Sequence, residues 1–180
     1  MLTLILGGAR SGKSRLAQSM ARSYARVVYI ATAPAPENDA EMSARIAHHR
    51  ASRPETWRTV EEPLALADAV ERAAAECDCV LADCLTVWLG NLFFAHREAP
   101  GAPIDTLARA QMSRIAAAAK GSHVILVSNE LGSGTVPEHA ITRAFRDSQG
   151  LLNQFAAELA DEVILTVAGL PLYLKANRTA

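Results

Sequence analysis

The sequence predicts an α/β fold of three layers, with helices on both faces of a mostly parallel central sheet, and three observations predict it. Short apolar runs alternate along the chain with longer stretches of helical periodicity, the signature of repeated strand–helix units. The runs are almost continuously apolar rather than alternating, as strands covered on both faces are. The first run, Leu2 to Leu6, leads straight into a glycine-rich loop and then an amphipathic segment.

Element by element, Leu2–Leu6 reads as a strand and Lys13–Tyr24 as a helix with Leu16, Met20 and Tyr24 on one side. Val27–Ile30 is a second buried strand, and Pro34, Pro36 and Asn38 mark a loop before a helix from about Asp39 to Ser52, which Pro54 closes. Trp57–Val60 is a further short strand candidate. An alanine-rich helix from about Pro63 to Glu76 precedes the strand Val80–Ala82, which ends on Asp83. Leu85–Ala95 is helical, Glu98–Pro103 a Pro/Gly loop, and Ile104–Lys120 another helix. The strand His123–Ser128 runs into the polar loop Asn129–Gly134, followed by a long helix from about Glu138 to Ala160. Glu162–Val167 is the last full strand, with Leu172–Lys175 pairing on it as a short edge.

A chain of 180 residues fits a single domain, 1–180, long enough for one substantial core. A formal charge of -1 with half the residues apolar excludes an electrostatic footprint for nucleic acid or an anionic membrane, leaving a small-molecule substrate as the expectation. Met1–Leu6 has neither the basic flank nor the length of a secretory core. Gly169 and Pro171 interrupt the apolar stretch from Val163 to Leu174, well short of the roughly 20 apolar residues a spanning helix needs. The expected location is cytoplasmic. Cys77, Cys79 and Cys84 are odd in number and wrongly spaced for a disulfide framework or zinc site, so they are expected to be plain buried thiols.

Gly7, Gly8, Ala9, Arg10, Ser11, Gly12, Lys13 and Ser14 fit the phosphate-loop pattern G-x-x-x-x-G-K-[ST], in the strand-to-helix context the pattern requires. Glycines let backbone N–H groups turn inward around phosphate oxygens, and the helix start adds its positive dipole end. Lys13 is the expected catalytic cation reaching the β- and γ-phosphates, and Ser14 the hydroxyl ligand of Mg²⁺. The chain is thus expected to be a nucleotide-dependent phosphoryl-transfer enzyme with a P-loop NTPase-type fold. Asp83, an acid at a strand end, suits either a carboxylate behind a phosphate-bridging cation or a helix N-cap.

In the Asp39–Ser52 segment, Arg45, His49 and Arg53 are spaced four apart and share a helical face. Flanking guanidinium groups favour neutral imidazole, with a free lone pair, and hold polyphosphate against it, which suits a nucleophile attacking phosphorus. His48 lies about 100° around the same helix, and spacing alone does not choose between the two histidines. A solvated basic helix is the plain alternative. His96, His123 and His139 have no such neighbours and are expected to be structural or exposed.

These strings together, with Tyr29-Ile30-Ala31-Thr32-Ala33, Arg45-Ile46-Ala47-His48-His49-Arg50, Arg53-Pro54, Asp83-Cys84-Leu85-Thr86, Asn91-Leu92, Asn129 to Gly134, Phe145-Arg146-Asp147, Asn153-Gln154 and Ala160 to Val163, resemble the bifunctional adenosylcobinamide kinase/adenosylcobinamide-phosphate guanylyltransferase family over nearly the whole chain. The resemblance implies phosphorylation of adenosylcobinamide by ATP or GTP, then transfer of GMP from GTP to give adenosylcobinamide-GDP, through a GMP-histidine intermediate at His49. It also implies nucleotide contacts from Ala31, Thr32, Ala33, Arg50, Ala51, Ser52, Arg53, Glu61 and Asp83, and a homotrimer. Some relatives carry Glu where Asp83 stands, which leaves open whether its contact is to metal or to a nucleotide hydroxyl. Two rivals are a single-function small-molecule kinase and a nucleotide-dependent switch. Asp147-Ser148-Gln149-Gly150 matches a switch element, but inside a predicted helix, and no N-K-x-D guanine-reading motif accompanies it.

Overall fold

The computed structural model describes residues 1–33, 50, 53–96 and 104–176. In chain order the elements are β1 (Leu2–Gly7), α1 (Lys13–Ala21), β2 (Val27–Ala31), β3 (Arg58–Glu61), α2 (Leu66–Ala74), β4 (Cys79–Asp83), α3 (Leu85–Ala95), α4 (Ile104–Ala118), β5 (His123–Asn129), α5 (Ala140–Leu159), β6 (Glu162–Val167) and β7 (Leu170–Lys175). The strands form one sheet in the order β3-β2-β4-β5-β1-β6-β7, parallel throughout except for β7, which runs antiparallel on β6. Most of the predicted histidine helix and the Glu98–Pro103 loop lie outside the described residues; Arg50 is helical.

Side-chain alternation divides the core in two. Ile5, Tyr29, Leu81, Ile125, Val127 and Ile164 face α1, packing on Ala17 and Ala21. Their sequence neighbours Leu4, Val28, Ile30, Val80, Ala82, Val124 and Leu126 face α2, α3, α4 and α5. Strands buried on both faces explain the unbroken apolar runs. Trp88 is fully buried on the four-helix side, where its indole N–H donates to Leu64 O at 2.9 Å, so its ring fills volume without stranding a donor. The three cysteines are free thiols; Cys77 and Cys79 are buried, and burial pushes Cys79 up to about 12 and Cys84 to about 11. No described helix is long and apolar enough to cross a membrane.

Element boundaries moved where local bonding prevailed over pattern. Helix α1 ends at Ala21 instead of Tyr24, because Ser23 and Tyr24 donate to Met20 O and Ala21 O in tightened turns that release Tyr24 towards the sheet. Strand β7 begins at Leu170 and contains Pro171, which an outer strand tolerates. The β6–β7 turn is Ala168-Gly169 with φ of 51° and 82°, a two-residue hairpin of the type that matches strand twist, where the sequence showed only breaks.

Beneath the amino ends of the strands lies a closed polar cluster. Thr3 Oγ1 donates to Glu162 Oε2 at 3.3 Å, which commits its proton and leaves the oxygen to accept from His123 Nε2–H at 2.9 Å. His123 Nδ1 then accepts from Tyr24 Oη at 2.6 Å. The network therefore selects neutral imidazole. Burial, aided by the N-terminal ammonium and opposed by Asp161, lowers the His123 pKa to about 4. Unfolded His123 takes up its proton below its ordinary value of 6.5 while the folded ring resists until about 4, so stability falls as pH drops through that window. Denaturant unfolding at pH 7 and pH 5 should show a loss of about 2 kcal/mol from this group. The His123→Gln variant, less stable at pH 7, should lack that component; an unchanged pH dependence would assign the loss to other groups.

Candidate active site at the carboxyl ends of the strands

Parallel strands bring all their carboxyl ends to one edge of the sheet. There the sequence places Gly7 at the end of β1, Ala31 at the end of β2, Glu61 at the end of β3, Asp83 at the end of β4 and Asn129 at the end of β5. Register aligns them. Ala31 is level with both Glu61 and Asp83, while Gly7 is level with Asn129.

The loop from Gly7 to Ser14 turns where only glycine fits. Gly7 has φ of 154°, and a Cβ there would lie 2.5 Å from Thr166 O and 2.6 Å from Ser11 Oγ. Gly12, at φ 99°, ends the loop as the left-handed residue before α1, where a Cβ would meet Gly169 Cα at 3.1 Å. Arg10 is also left-handed, at φ 54°, and such turns direct successive N–H groups to one side. No side chain caps α1, so its first-turn N–H groups are left for a ligand. The β6–β7 turn braces the loop from behind: Gly169 N–H donates to Ser11 O at 2.8 Å. Gly8, Ala9 and Arg10 are exposed at the loop's crest, and the Ser11 hydroxyl is buried with no hydrogen-bond partner.

Lys13 is 7% exposed, an unusual burial for a lysine, and its Nζ donates to Gly8 O at 2.6 Å across the cradle. Burial lowers its pKa, with the electrostatic influence of Cys84 and Asp83 opposing. Ser14 sits half-buried in the first turn of α1. Asp83 accepts from Tyr29 Oη at 3.2 Å; burial first, then the Asp83 charge, raise the phenol's pKa and keep it a neutral donor. The Arg53 guanidinium stacks on the other side of this pair, 3.8 Å from the Tyr29 ring centroid, while its Nη1 donates to Thr59 Oγ1 at 3.2 Å. Arg50 pairs with Glu61 at 2.7 Å, both half-exposed, so the pair is worth little to stability and is open to solvent. Ser14 and Asp83 offer hard oxygen donors of the kind Mg²⁺ takes.

Thus Lys13, Ser14, Ala31, Thr32, Arg53, Glu61 and Asp83 gather along one edge, with Ala33 just beyond β2. His49, Ala51 and Ser52 lie outside the described residues. The sequence reading expected a nucleotide contact at Thr32 and placed Thr86, Asn91 and Asn153 in the strings that carry the resemblance, but it did not give any of them the part of pinning this edge. Thr32, fully buried, donates to Cys84 O and accepts from Cys84 N–H, both at 2.8 Å, tying the end of β2 to the residue after Asp83. Asn91 of α3 donates to Thr32 O at 2.8 Å and Pro63 O at 3.0 Å. Thr86 Oγ1 accepts from Asn129 N–H at 2.8 Å, and Asn153 of α5 donates to Asn129 O at 3.0 Å. The available signal was a polar residue on an otherwise apolar helix, as with Asn91 in a run of Trp, Leu and Phe.

The model of the cobinamide kinase / cobinamide phosphate guanyltransferase family matches residues 3–174. The chain belongs to this family. Among its relatives, the bifunctional adenosylcobalamin biosynthesis protein CobP of Pseudomonas aeruginosa is 48% identical over 97% of this chain and 98% of its own length. The CobU protein of Escherichia coli is 39% identical over 97% of this chain and 100% of its own. A type III secretion ATPase aligns with a TM-score of 0.60 at 13% identity, covering 98% of this chain and 56% of that one, a likeness of P-loop fold alone. The family thus joins a kinase and a guanylyltransferase in one enzyme, and the carboxyl edge described above is where this member gathers its chemistry-bearing side chains.

Replacing Thr32 by Val preserves shape but leaves the Cys84 N–H without its partner, while the Cys84 C=O keeps only the Trp88 N–H, at an expected cost of about 1–3 kcal/mol. Thr32→Ser should recover most of it. Urea unfolding of the three proteins checks this; equal stabilities would mean that the Thr32 bridge does not hold the two strand ends together.

Proposed function

We propose that the chain phosphorylates the aminopropanol hydroxyl of adenosylcobinamide with ATP or GTP and then transfers GMP from GTP to the new phosphate, giving adenosylcobinamide-GDP. The observation that carries the reading is the buried Lys13 held across a glycine cradle, with the Asp83 carboxylate two strands away at the same edge of a family member's sheet.

In the first step the loop Gly7–Ser14 receives the phosphates, and Lys13 with the backbone N–H groups spreads charge developing on the transferred γ-phosphoryl. Ser14 and Asp83 would hold Mg²⁺, which would supply positive charge against the triphosphate. Tyr29 and Arg53 fix the orientation of Asp83 through the hydrogen bond and the stacked pair. In the second step His49 is the nucleophile. Its imidazole nitrogen attacks the α-phosphorus of GTP, pyrophosphate leaves, and the substrate phosphate then displaces the imidazole. Two inversions retain configuration at phosphorus. Support for His49 comes from its neighbour Arg50, which pairs with Glu61 at the carboxyl end of β3 and so ties that part of the chain to the same edge. Arg50, Ala51, Ser52, Arg53, Glu61 and Ala31–Ala33 are the guanine-nucleotide contacts in this reading, in a cytoplasmic homotrimer. An association surface is at hand in β7, an outermost strand whose Leu170, Leu172, Tyr173 and Leu174 are all more than half exposed.

Incubation with α-labelled GTP and Mg²⁺ should leave an acid-labile, alkali-stable label on the protein, absent from His49→Ala, which retains kinase activity. A labelled His49→Ala, or a wild type that binds GTP without labelling, would remove His49 from the mechanism. Light scattering should return the mass of three chains, and charged replacements at Leu172 and Leu174 should lower it; a monomeric wild type would overturn the trimer.

A further inference from the structure

Three hydrogen bonds fix the backbone at the end of β5 around Asn129. Its N–H donates to Thr86 Oγ1, its C=O accepts from Asn153 Nδ2, and the next N–H, that of Glu130, donates to Gly7 O at 3.0 Å. The partners come from α3, α5 and β1, so the position is held from three directions. None of these bonds uses the Asn129 side chain, whose carboxamide has no hydrogen-bond partner among the described residues and is half-buried. The neighbouring polar side chains are all engaged: Ser128 donates to Asn153 Oδ1 at 2.7 Å, and Glu130 accepts from Gly132 N–H at 2.6 Å and from Ser133 Oγ at 2.8 Å. Of the three consecutive side chains Ser128, Asn129 and Glu130, that of Asn129 is the one left without a partner among the described residues.

Alternation says where it faces. Ile125 and Val127 of β5 lie on the α1 side of the sheet, so Asn129, two residues further, belongs to that side too. By the same count Asp83 follows Cys79 and Leu81 onto the α1 side. Strand β5 lies between β1, which leads into the Lys13 loop, and β4, which ends on Asp83. Asn129 therefore occupies the gap between the phosphate cradle and the acid, on the face from which Lys13 rises. A neutral amide suits this place, since its Nδ2–H groups bond an oxyanion without adding charge beside Asp83.

We propose that the Asn129 carboxamide is a direct contact to the transferred phosphoryl group, its Nδ2–H donating to a non-bridging oxygen on the γ-phosphorus. This rests on the proposed placement of the triphosphate in the Gly7–Ser14 loop. During transfer the bond from γ-phosphorus to the β–γ bridging oxygen breaks, and its electron pair leaves with the nucleoside diphosphate. The bond to the substrate hydroxyl oxygen forms, and the hydroxyl proton passes to solvent. The equatorial oxygens carry charge throughout, and a preplaced donor lowers the barrier to the extent that it is aimed at them.

The test uses the full chain with Asn129→Ala and the isosteric Asn129→Asp, both of which keep every backbone bond described above. Kinase turnover is measured together with equilibrium affinity for a non-hydrolysable nucleoside triphosphate and for the matching diphosphate. Asn129→Ala should lose about 10²-fold in kcat, the scale of one oxyanion donor, with diphosphate affinity retained. Asn129→Asp, setting a carboxylate against the γ-oxygens, should lose triphosphate affinity at least about tenfold while binding diphosphate normally. Diphosphate binding also reports that each variant is folded. Equal loss of affinity for both nucleotides would assign Asn129 to scaffolding, and unchanged turnover in Asn129→Ala would overturn the contact. A Lys13→Ala control separates the levels: if it binds triphosphate like wild type, the phosphate-loop placement itself fails; if it loses binding while the Asn129 variants behave normally, only the Asn129 assignment falls.

Discussion

The insertion of β5 between β1 and β4 is the constraint from which the site follows. Adjacent strands lie 4.7–4.9 Å apart, so the ends of β1 and β4 are separated by roughly 9–10 Å. Lys13 donates to Gly8 O within its own loop while Asp83 takes its hydrogen bond from Tyr29, so the two are not paired with each other. A lysine and an aspartate kept apart in this way feel each other's charge without neutralising each other. On the proposed reading, the cationic group meets phosphate and the anionic group the cation that accompanies it.

The two ends of the sheet treat polar groups in opposite ways. At the amino ends, Thr3, Tyr24, His123 and Glu162 bond one another, and their hydrogen bonds are spent within the cluster. At the carboxyl ends, side chains such as Thr32, Thr86, Asn91 and Asn153 spend their hydrogen bonds on backbone groups of the strand termini. The backbone there is fixed, while Lys13, Ser14, Asp83 and Asn129 remain directed at the edge. Since an unpaired buried polar group costs about 1–3 kcal/mol, this division lets the protein hold reactive groups in place without leaving the supporting backbone unsatisfied.

Much of this was legible in the sequence because it is local. The strand–loop–helix order around Gly7–Ser14 is written in consecutive residues, and the acid ending β4 follows directly from an apolar run. The free buried cysteines followed from their spacing. Strand order was not legible, since it depends on crossovers that bring residue 129 beside residue 7. For the same reason the pinning role of Thr32, Asn91 and Thr86 was hidden: each acts on a backbone group far along the chain, and in sequence each looks like an ordinary polar residue. His123 read as unremarkable for want of neighbours, yet its partners Thr3 and Tyr24 are about a hundred residues away. The pairing of the last two strands was expected, but the two-residue turn at Ala168-Gly169 was missed because alanine rarely takes the left-handed turn position it occupies here.

On the proposed reading, two reactions at different phosphorus atoms place different demands on one edge. The loop and Lys13 belong to β1 and α1, whereas Arg50 and Glu61 meet at the end of β3, four strand spacings or roughly 19 Å away. Between them, the α1 face of the sheet carries Asp83 at the end of β4, joined by register to Ala31 and Glu61 on one side and, one strand over, facing the gap that leads to Gly7 on the other. A ligand extending from the cradle towards Glu61 must cross that carboxylate. On the proposed reading, therefore, Asp83 is the group that phosphoryl transfer at the loop and guanylyl transfer at His49 both pass, and the Tyr29–Arg53 pair that fixes its orientation serves both reactions at once.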